Sequence, residues 1–308
     1  PAMFWALLSG IGACADAAYY IVNKKFLQSV EPDLLAASGF LFTSFFLLSV
    51  AIFRGIPPLG PDFVFAVAAA CAINVIGTTL AFRALKSTDI SLAVPMLSFT
   101  PLFLLVTAAL MLDEIPSLIG ITGIIIIVTG SYVLNTATEH TRLSDPFRAM
   151  VSHPGIFSML VVSFLYAIAI GFDKMIVLNS DTVFGSGVVF LGLGSAFLVI
   201  FLIKRRLRTK KGGQAHSGPA ASASLMPNRL RDLLVVGVLI GSLLTIEAIA
   251  INTAYLDQIV PYVSAIKRMS ILITVLYGTM IVREGEIVRR ISGASLMVFG
   301  VVLILLFP

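Results

Sequence analysis

Apolar segments of about 17–25 residues, long enough to cross the hydrocarbon core of a bilayer as helices, recur along the whole chain. The chain has 308 residues, of which 58% are hydrophobic and only 12% are charged. An ordinary soluble domain carries about 25% charged residues, so the composition excludes that class. We predict an all-α integral membrane protein with ten transmembrane helices, over residues 3–22, 33–53, 62–82, 88–112, 117–135, 155–173, 182–203, 232–252, 257–281 and 287–307.

Basic residues are distributed unevenly between the two predicted membrane faces. Short connections make neighbouring helices antiparallel, so successive connections alternate between the faces. Of the 21 lysines and arginines, only Arg54 and Lys174 fall on one face, and Lys267 and Arg268 fall inside a span. The positive-inside rule places the basic face in the cytoplasm and both termini outside the cell (inner) membrane. The long connection 204–231 is rich in Gly, Ser and Ala and is expected to be a flexible cytoplasmic loop.

The two halves of the sequence resemble each other when they are aligned with a constant difference in residue number, which we call the shift. We predict a first five-helix repeat over 1–135, a connection over 136–154 and a second repeat over 155–308. An odd number of helices separates corresponding elements, so the repeats have inverted topology, which is typical of secondary transporters. The shift aligns Asp113-Glu114 with Arg283-Glu284, Gly123 with Gly293, Gly130 with Gly300, and Leu97-Ser98 with Lys267-Arg268.

Residues that would indicate enzymatic or cofactor chemistry are sparse. Cys14 and Cys71 lie inside apolar segments without paired spacing, which favours neither a disulfide nor a metal site. The three histidines lie in polar connections, which argues against a histidine-based metal centre. We therefore expect no enzyme activity, no cofactor and no nucleic-acid partner, with membrane lipid and a small molecule as the partners. We also expect no cleavable signal sequence before the first span.

Lys267 and Arg268 lie near the middle of an apolar span. A basic residue at mid-membrane costs about 2.5–3.5 kcal/mol, so such residues are usually functional. The arginine fork suits carboxylate or phosphate oxygens, and lysine adds a compact charge. We predict that the pair binds the anionic group of a substrate. The alternative is a structural ion pair with Glu247 or Asp16.

Two acidic residues within predicted spans are further candidates. Glu247 can be the counter-ion of the basic pair, a proton-coupling carboxylate or a ligand for an amine, and we favour the counter-ion role. Asp16 and Tyr20 lie on one face of the first span at a spacing of one turn, which predicts a polar patch facing a cavity. The alternative places Asp16 near lipid headgroups or against a neighbouring helix.

Prolines and hydroxyl groups accompany the basic pair and its counterpart in the first half. Pro95 and Pro101 each remove a helical hydrogen bond, which predicts a gating kink, a part of the site or a packing kink. The remaining candidate substrate contacts are Ser98, Thr100, Tyr262, Ser264 and Asn74, the last being more often an interhelical hydrogen-bonding residue.

The segment SLAVPMLSFTPLFLLVTAALMLDEIPSLIGITGIIIIVTGSYVL (91–134) resembles the drug/metabolite transporter superfamily, EamA-type branch. The shared pattern is a helix with a central proline, an acidic residue at the membrane edge, and a glycine-bearing helix. Residues 261–305 are similar. The resemblance implies ten helices in two repeats and a central cavity lined by the first, third, fourth, sixth, eighth and ninth spans.

Lys267-Arg268 is also similar to a Lys-Arg pair in the ninth helix of the plastid phosphate translocators, where the pair holds the substrate phosphate. Those translocators have a further lysine in the first half, and spans three and four here contain none. The resemblance therefore implies an anionic group without specifying triose phosphate. We predict a secondary transporter of a small organic anion that works by alternating access. The alternatives are an exporter of zwitterionic amino acids and a flippase or scramblase of a phosphate-headed lipid.

Overall fold

The computed structural model describes residues 3–26, 30–87, 94–135, 154–210, 226–282 and 287–307. Helices account for nearly all of these residues, and no strand occurs among them. The helices are α1 (Phe4–Phe26), α2 (Pro32–Arg54), α3 (Phe63–Ser87), a 3-10 turn (Val94–Phe99), α4 (Thr100–Leu112), α5 (Leu118–Asn135), α6 (Pro154–Leu178), α7 (Thr182–Lys210), α8 (Met226–Asp257), α9 (Val260–Lys267), α10 (Met269–Val282) and α11 (Ile287–Leu306).

Six of these helices, α1, α2, α3, α6, α7 and α8, are long and apolar enough to cross a membrane. Three shorter apolar helical segments, Met96–Leu112, Leu118–Leu134 and Ile291–Leu306, accompany them. The all-α fold predicted from the sequence is therefore confirmed among the described residues, and the six long apolar helices are consistent with a multi-pass membrane protein. Whether the shorter segments also cross, to give ten spans, stays a prediction.

The helices around the long connection extend further than predicted. α7 continues to Lys210 and α8 begins at Met226, so the flexible loop predicted over 204–231 was too long. Lysine, arginine and leucine are good helix formers, and a helix is free to continue beyond the apolar core of a bilayer. Residues 211–225, the centre of that loop, lie outside the described residues.

Two predicted spans, 88–112 and 257–281, are not continuous helices. In the first, the 3-10 turn Val94–Phe99 precedes α4, and residues 88–93 lie outside the described part of the chain. Pro101 cannot donate to Leu97, and the hydroxyl of Thr100 donates to that carbonyl oxygen at 2.8 Å. In the second, Arg268 separates α9 from α10, and its N–H bonds to Ala265 O (3.1 Å) as well as Ser264 O (3.3 Å). This tightened turn interrupts the helix at the predicted site.

The most extensive helix contacts join one half of the chain to the other: α1 with α8, α2 with α7, α3 with α6, and α5 with α11. Glycines allow the α5–α11 crossing. A Cβ added to Gly130 would lie 2.7 Å from the carbonyl oxygen of Gly293, and one on Gly300 would lie 2.7 Å from that of Gly123. The backbones are therefore in direct contact there. The boundaries of the two predicted repeats stay a prediction.

Polar contacts define the two ends of the helix bundle. At one end, called the Lys174 end, Lys174 of α6 pairs with Glu114, Gly60 N donates to Asn179 O at 2.8 Å, and Ser117 Oγ donates to Phe307 O at 3.1 Å. At the opposite end, called the Lys204 end, Lys204 of α7 pairs with Asp33 of α2 at 2.6 Å. The functional candidates near Lys267 lie between these two ends.

Candidate functional site

An ion pair between Glu247 of α8 and Lys267, the last residue of α9, forms the centre of the candidate site. The side chains of Lys267 and Glu247 keep 27% and 13% of their exposure, so neither is fully buried. Of the three roles predicted for Glu247, this contact gives it the geometry of a counter-ion.

Arg268 differs from its neighbour Lys267. Within the described part of the chain its guanidinium makes no ion pair or hydrogen bond, although it interacts electrostatically with Glu247, Tyr20 and Tyr166. Residues next to each other on a helix point about 100° apart, so Glu247 cannot serve both bases equally. One base is thus neutralised by protein, and the other has five donors available to a ligand.

Asp16 and Tyr20 of α1 lie in the electrostatic environment of the same charges, and their predicted contact with a substrate stays a prediction. Asp16 interacts electrostatically with Lys267, Glu247 and Tyr20. It is only 7% exposed and makes no hydrogen bond or ion pair among the described residues. Tyr20, one turn closer to the Lys204 end, is 49% exposed. We call Asp16, Tyr20, Glu247, Lys267 and Arg268 the central site.

Three residues that adjoin the central site were not predicted from the sequence. Asp173 of α6 interacts electrostatically with Lys267 and Glu247, as does Tyr255 of α8. Tyr166 of α6 lies near Arg268, and its hydroxyl is 3.3 Å from that of Thr78. The sequence does indicate Asp173 as a candidate, because this acidic residue is the last residue of a predicted span. Its neighbour Lys174 instead indicated that this helix end lies at the membrane edge.

Two predicted substrate contacts in the first half are occupied by protein. Ser98 is fully buried, with its hydroxyl 2.8 Å from that of Ser131 on α5. Thr100 is also fully buried, and its hydroxyl lies 2.9 Å from that of Ser163 on α6. These pairs join the break before α4 to its neighbouring helices. Direct substrate contact by either residue stays a prediction and requires one of these hydrogen bonds to open.

The other three predicted contacts are placed differently. Asn74 is half-buried and donates its amide to Ala70 O in its own helix at 2.9 Å. Tyr262 is 1% exposed, and its hydroxyl accepts the backbone N–H of Ser117 at 3.0 Å, at the Lys174 end. Ser264 is buried within α9. The structure thus brings Asp16, Tyr20 and Glu247 to the basic pair, whereas Tyr262 contributes to the packing of one end.

The arrangement offers charge to a ligand, with a guanidinium that has no ion pair among the described residues, a compensated ammonium and the carboxylates of Asp16 and Asp173 nearby. Comparison with known proteins gives the family context. Residues 2–136 match the model of the EamA-like transporter family. No curated protein matches the chain. A solved structure described as "Crystal structure of protein" is similar at a TM-score of 0.72 with 13% identity, over 98% of each chain. The two chains therefore share a fold over nearly their whole length.

Proposed function

We propose that this chain carries a small organic anion across the membrane, because residues 2–136 match the model of the EamA-like transporter family, which indicates a membrane transporter of the drug/metabolite type. The substrate class follows from one observation. Arg268 lies beside a neutralised lysine, and its own guanidinium makes no ion pair with any described residue. A planar fork of donors in a low-dielectric interior binds a carboxylate or phosphate bidentately.

Glu247 lowers the free-energy cost of the site when no substrate is bound. An isolated ammonium within a membrane is costly, and the carboxylate compensates Lys267 when no anion is bound. When an anion arrives at Arg268, Lys267 can share its charge with the ligand. Among Lys267, Arg268 and Glu247, a bound monoanion therefore cancels the one positive charge that the empty site leaves uncompensated.

We propose that reorientation is alternating access between two inverted repeats of five helices, making ten crossings. The reciprocal contacts of Gly130 with Gly293 and of Gly300 with Gly123 support it, because the constant shift exchanges these pairs. The pairs α1–α8 and α3–α6 exchange in the same way. Helix breaks at Phe99 and Arg268 lie at nearly matching positions of the halves, and discontinuous helices commonly form transporter binding sites.

A zwitterionic substrate is the second candidate, and Asp16 supports it. This carboxylate is buried and unpaired among the described residues, and Asp173 lies in the same electrostatic environment. An amine could be bound there while Arg268 holds a carboxylate. The two candidates differ in whether a substrate requires a positive group.

Thermal stabilisation of the purified protein distinguishes these substrates. Sugar phosphates, dicarboxylates, amino acids and amines would each be tested with the wild-type protein and with Arg268→Ala. The proposal expects stabilisation by organic anions that Arg268→Ala removes. Stabilisation by amino acids alone, lost also in Asp16→Asn, would establish the zwitterion. Stabilisation by amines that survives Arg268→Ala would exclude both candidates.

A further inference from the structure

The ion pair between Glu114 and Lys174 lies at the Lys174 end, beside the start of α9, and the proposed substrate chemistry does not use it. Their side chains are 10% and 11% exposed, so the pair is nearly buried at the Lys174 end. A buried pair of this kind contributes little net stability over an apolar replacement, because both charges must be desolvated. Its presence here therefore calls for a reason other than stability.

The pair holds the start of α9, the short helix that ends in Lys267. Glu114 Oε2 accepts the backbone N–H of Val260, the first residue of α9, at 2.7 Å. Lys174 Nζ donates to the carbonyl oxygen of Gln258, just before that helix, at 3.0 Å. The first N–H groups of a helix have no partner within the helix, and a carboxylate is favoured there by the helix dipole. Glu114 thus caps α9 from a different segment of the chain.

A second contact joins the same two segments. The hydroxyl of Tyr262 on α9 accepts the N–H of Ser117 at 3.0 Å and lies 3.2 Å from the Ser117 hydroxyl. Its ring packs against Gly120, where an added Cβ would overlap it. The loop that carries Glu114 therefore holds α9 at two points, one at its first residue and one within its first turn.

The burial of the residues of α9 shows which side of the central site these contacts cover. Every residue from Val260 to Ile266 is buried, and exposure begins only at Lys267. On α1, by contrast, Tyr20 is half exposed although it faces the same charges from the side of the Lys204 end. The central site is thus covered at the Lys174 end and more accessible from the opposite direction.

We propose that Glu114 and Lys174 are the gate of the Lys174 end, and that the gate opens by releasing α9 as a unit. At the helical rise, the eight residues of α9 span about 12 Å, so a movement of Val260 is transmitted directly to Lys267. On opening, both charges gain access to water, which lowers the cost of separating them. The inference rests on the proposed transport function, and it adds the residues that control access from one side.

Thiol labelling tests the gate without any substrate. The reporter is Tyr20→Cys in a protein with Cys14→Ser and Cys71→Ala, reconstituted in vesicles of known orientation. A membrane-impermeant maleimide is applied from either side. The intact gate predicts labelling from the Lys204 side only. The double variant Glu114→Gln/Lys174→Met removes both charges together, so no buried charge is left unpaired, and should raise labelling from the Lys174 side by about tenfold or more.

The matched control breaks the ion pair at the other end. Asp33→Asn removes a carboxylate from the pair with Lys204 and should leave labelling from the Lys174 side unchanged. The gate is refuted if Glu114→Gln/Lys174→Met leaves the labelling pattern as in the parent, or if Asp33→Asn produces the same increase. Because no ligand is involved, these results do not depend on whether the substrate is an anion.

Closing the gate covalently provides the converse test. In the cysteine-free protein, Glu114→Cys/Lys174→Cys is joined by a short bifunctional, reducible thiol reagent. Exchange of a stabilising anion across proteoliposomes should stop and return on reduction, while the anion still stabilises the cross-linked protein in detergent. Unchanged exchange in the cross-linked protein would overturn the gate. Loss of stabilisation in both states would instead count against the anion site.

Discussion

The ammonium of Lys267 pairs with the carboxylate of Glu247, although Arg268, the next residue, has no such partner among the described residues. Lys267 and Arg268 therefore have different environments in the structure, whereas the sequence predicted one shared role for the two residues. Lys267 is held in place by a protein acid, and the proposed ligand of Arg268 is the transported anion. The pair also connects α8 with the break between α9 and α10, so the charge that is compensated lies where the helix is interrupted.

Removing the carboxylate of Glu247 should separate stability from binding. Glu247→Gln leaves the Lys267 ammonium without its partner, and breaking a buried pair on one side typically costs about 3–5 kcal/mol. We expect a lower midpoint of thermal unfolding but stronger stabilisation by an organic anion, which then has two bases to neutralise. The control is Glu247→Gln/Lys267→Met, which should recover most of the midpoint. A Glu247→Gln protein with unchanged midpoint and unchanged anion response would contradict the counter-ion role.

Close backbone contact between α5 and α11 predicts a large effect of a single methyl group. In Gly130→Ala the new Cβ would meet the backbone oxygen of Gly293 at 2.7 Å, so the helices must separate. We expect a loss of about 1–3 kcal/mol, the typical cost of overpacking, measured as a lower unfolding midpoint in detergent. Gly10→Ala on α1 is the control, since nothing lies within 4 Å of its added Cβ. Equal midpoints for the two variants would show that the crossing is not tight.

The proposed orientation predicts which end of the bundle faces the outside of the cell. Leu59, near the Lys174 end, and Arg205, near the Lys204 end, are both exposed. In a protein without its native cysteines, Leu59→Cys should react with an impermeant thiol reagent on intact cells. Arg205→Cys should react only after the cells are permeabilised. The reverse pattern would invert the orientation assigned by the positive-inside rule.

The membrane fold could be predicted because its cause is local. Long apolar segments and short connections dictate packed helices, and the glycines aligned by the shift between the halves, such as Gly123 and Gly293, lie at the helix crossing. The exact helix ends could not be predicted in the same way. Lys204 and the residues after it are polar, and whether a polar segment continues a helix depends on intrinsic helix propensity and on contacts beyond the membrane.

Most of the sequence information about the central site came from residue types that are rare in apolar segments. Lys267, Arg268, Glu247 and Asp16 stand out in apolar segments, and the structure brings them together. The roles of the hydroxyl residues were harder to predict, because a serine or threonine in a membrane helix can contribute to helix packing as well as to ligand binding. The pairing of Ser98 with Ser131 depends on how α5 lies against the break before α4, which only the fold determines.

The most direct test of the account is anion exchange by Arg268 variants in proteoliposomes. Hydrogen bonds to a charged group contribute about 1.5–3 kcal/mol, so Arg268→Ala should lower the apparent affinity for the anion by roughly 10–100-fold or abolish exchange. Arg268→Lys should keep part of the activity, and Arg54→Ala, at an exposed helix end, should behave as the parent protein. Exchange by Arg268→Ala at the parental rate and affinity would contradict the proposal that this guanidinium binds the transported anion.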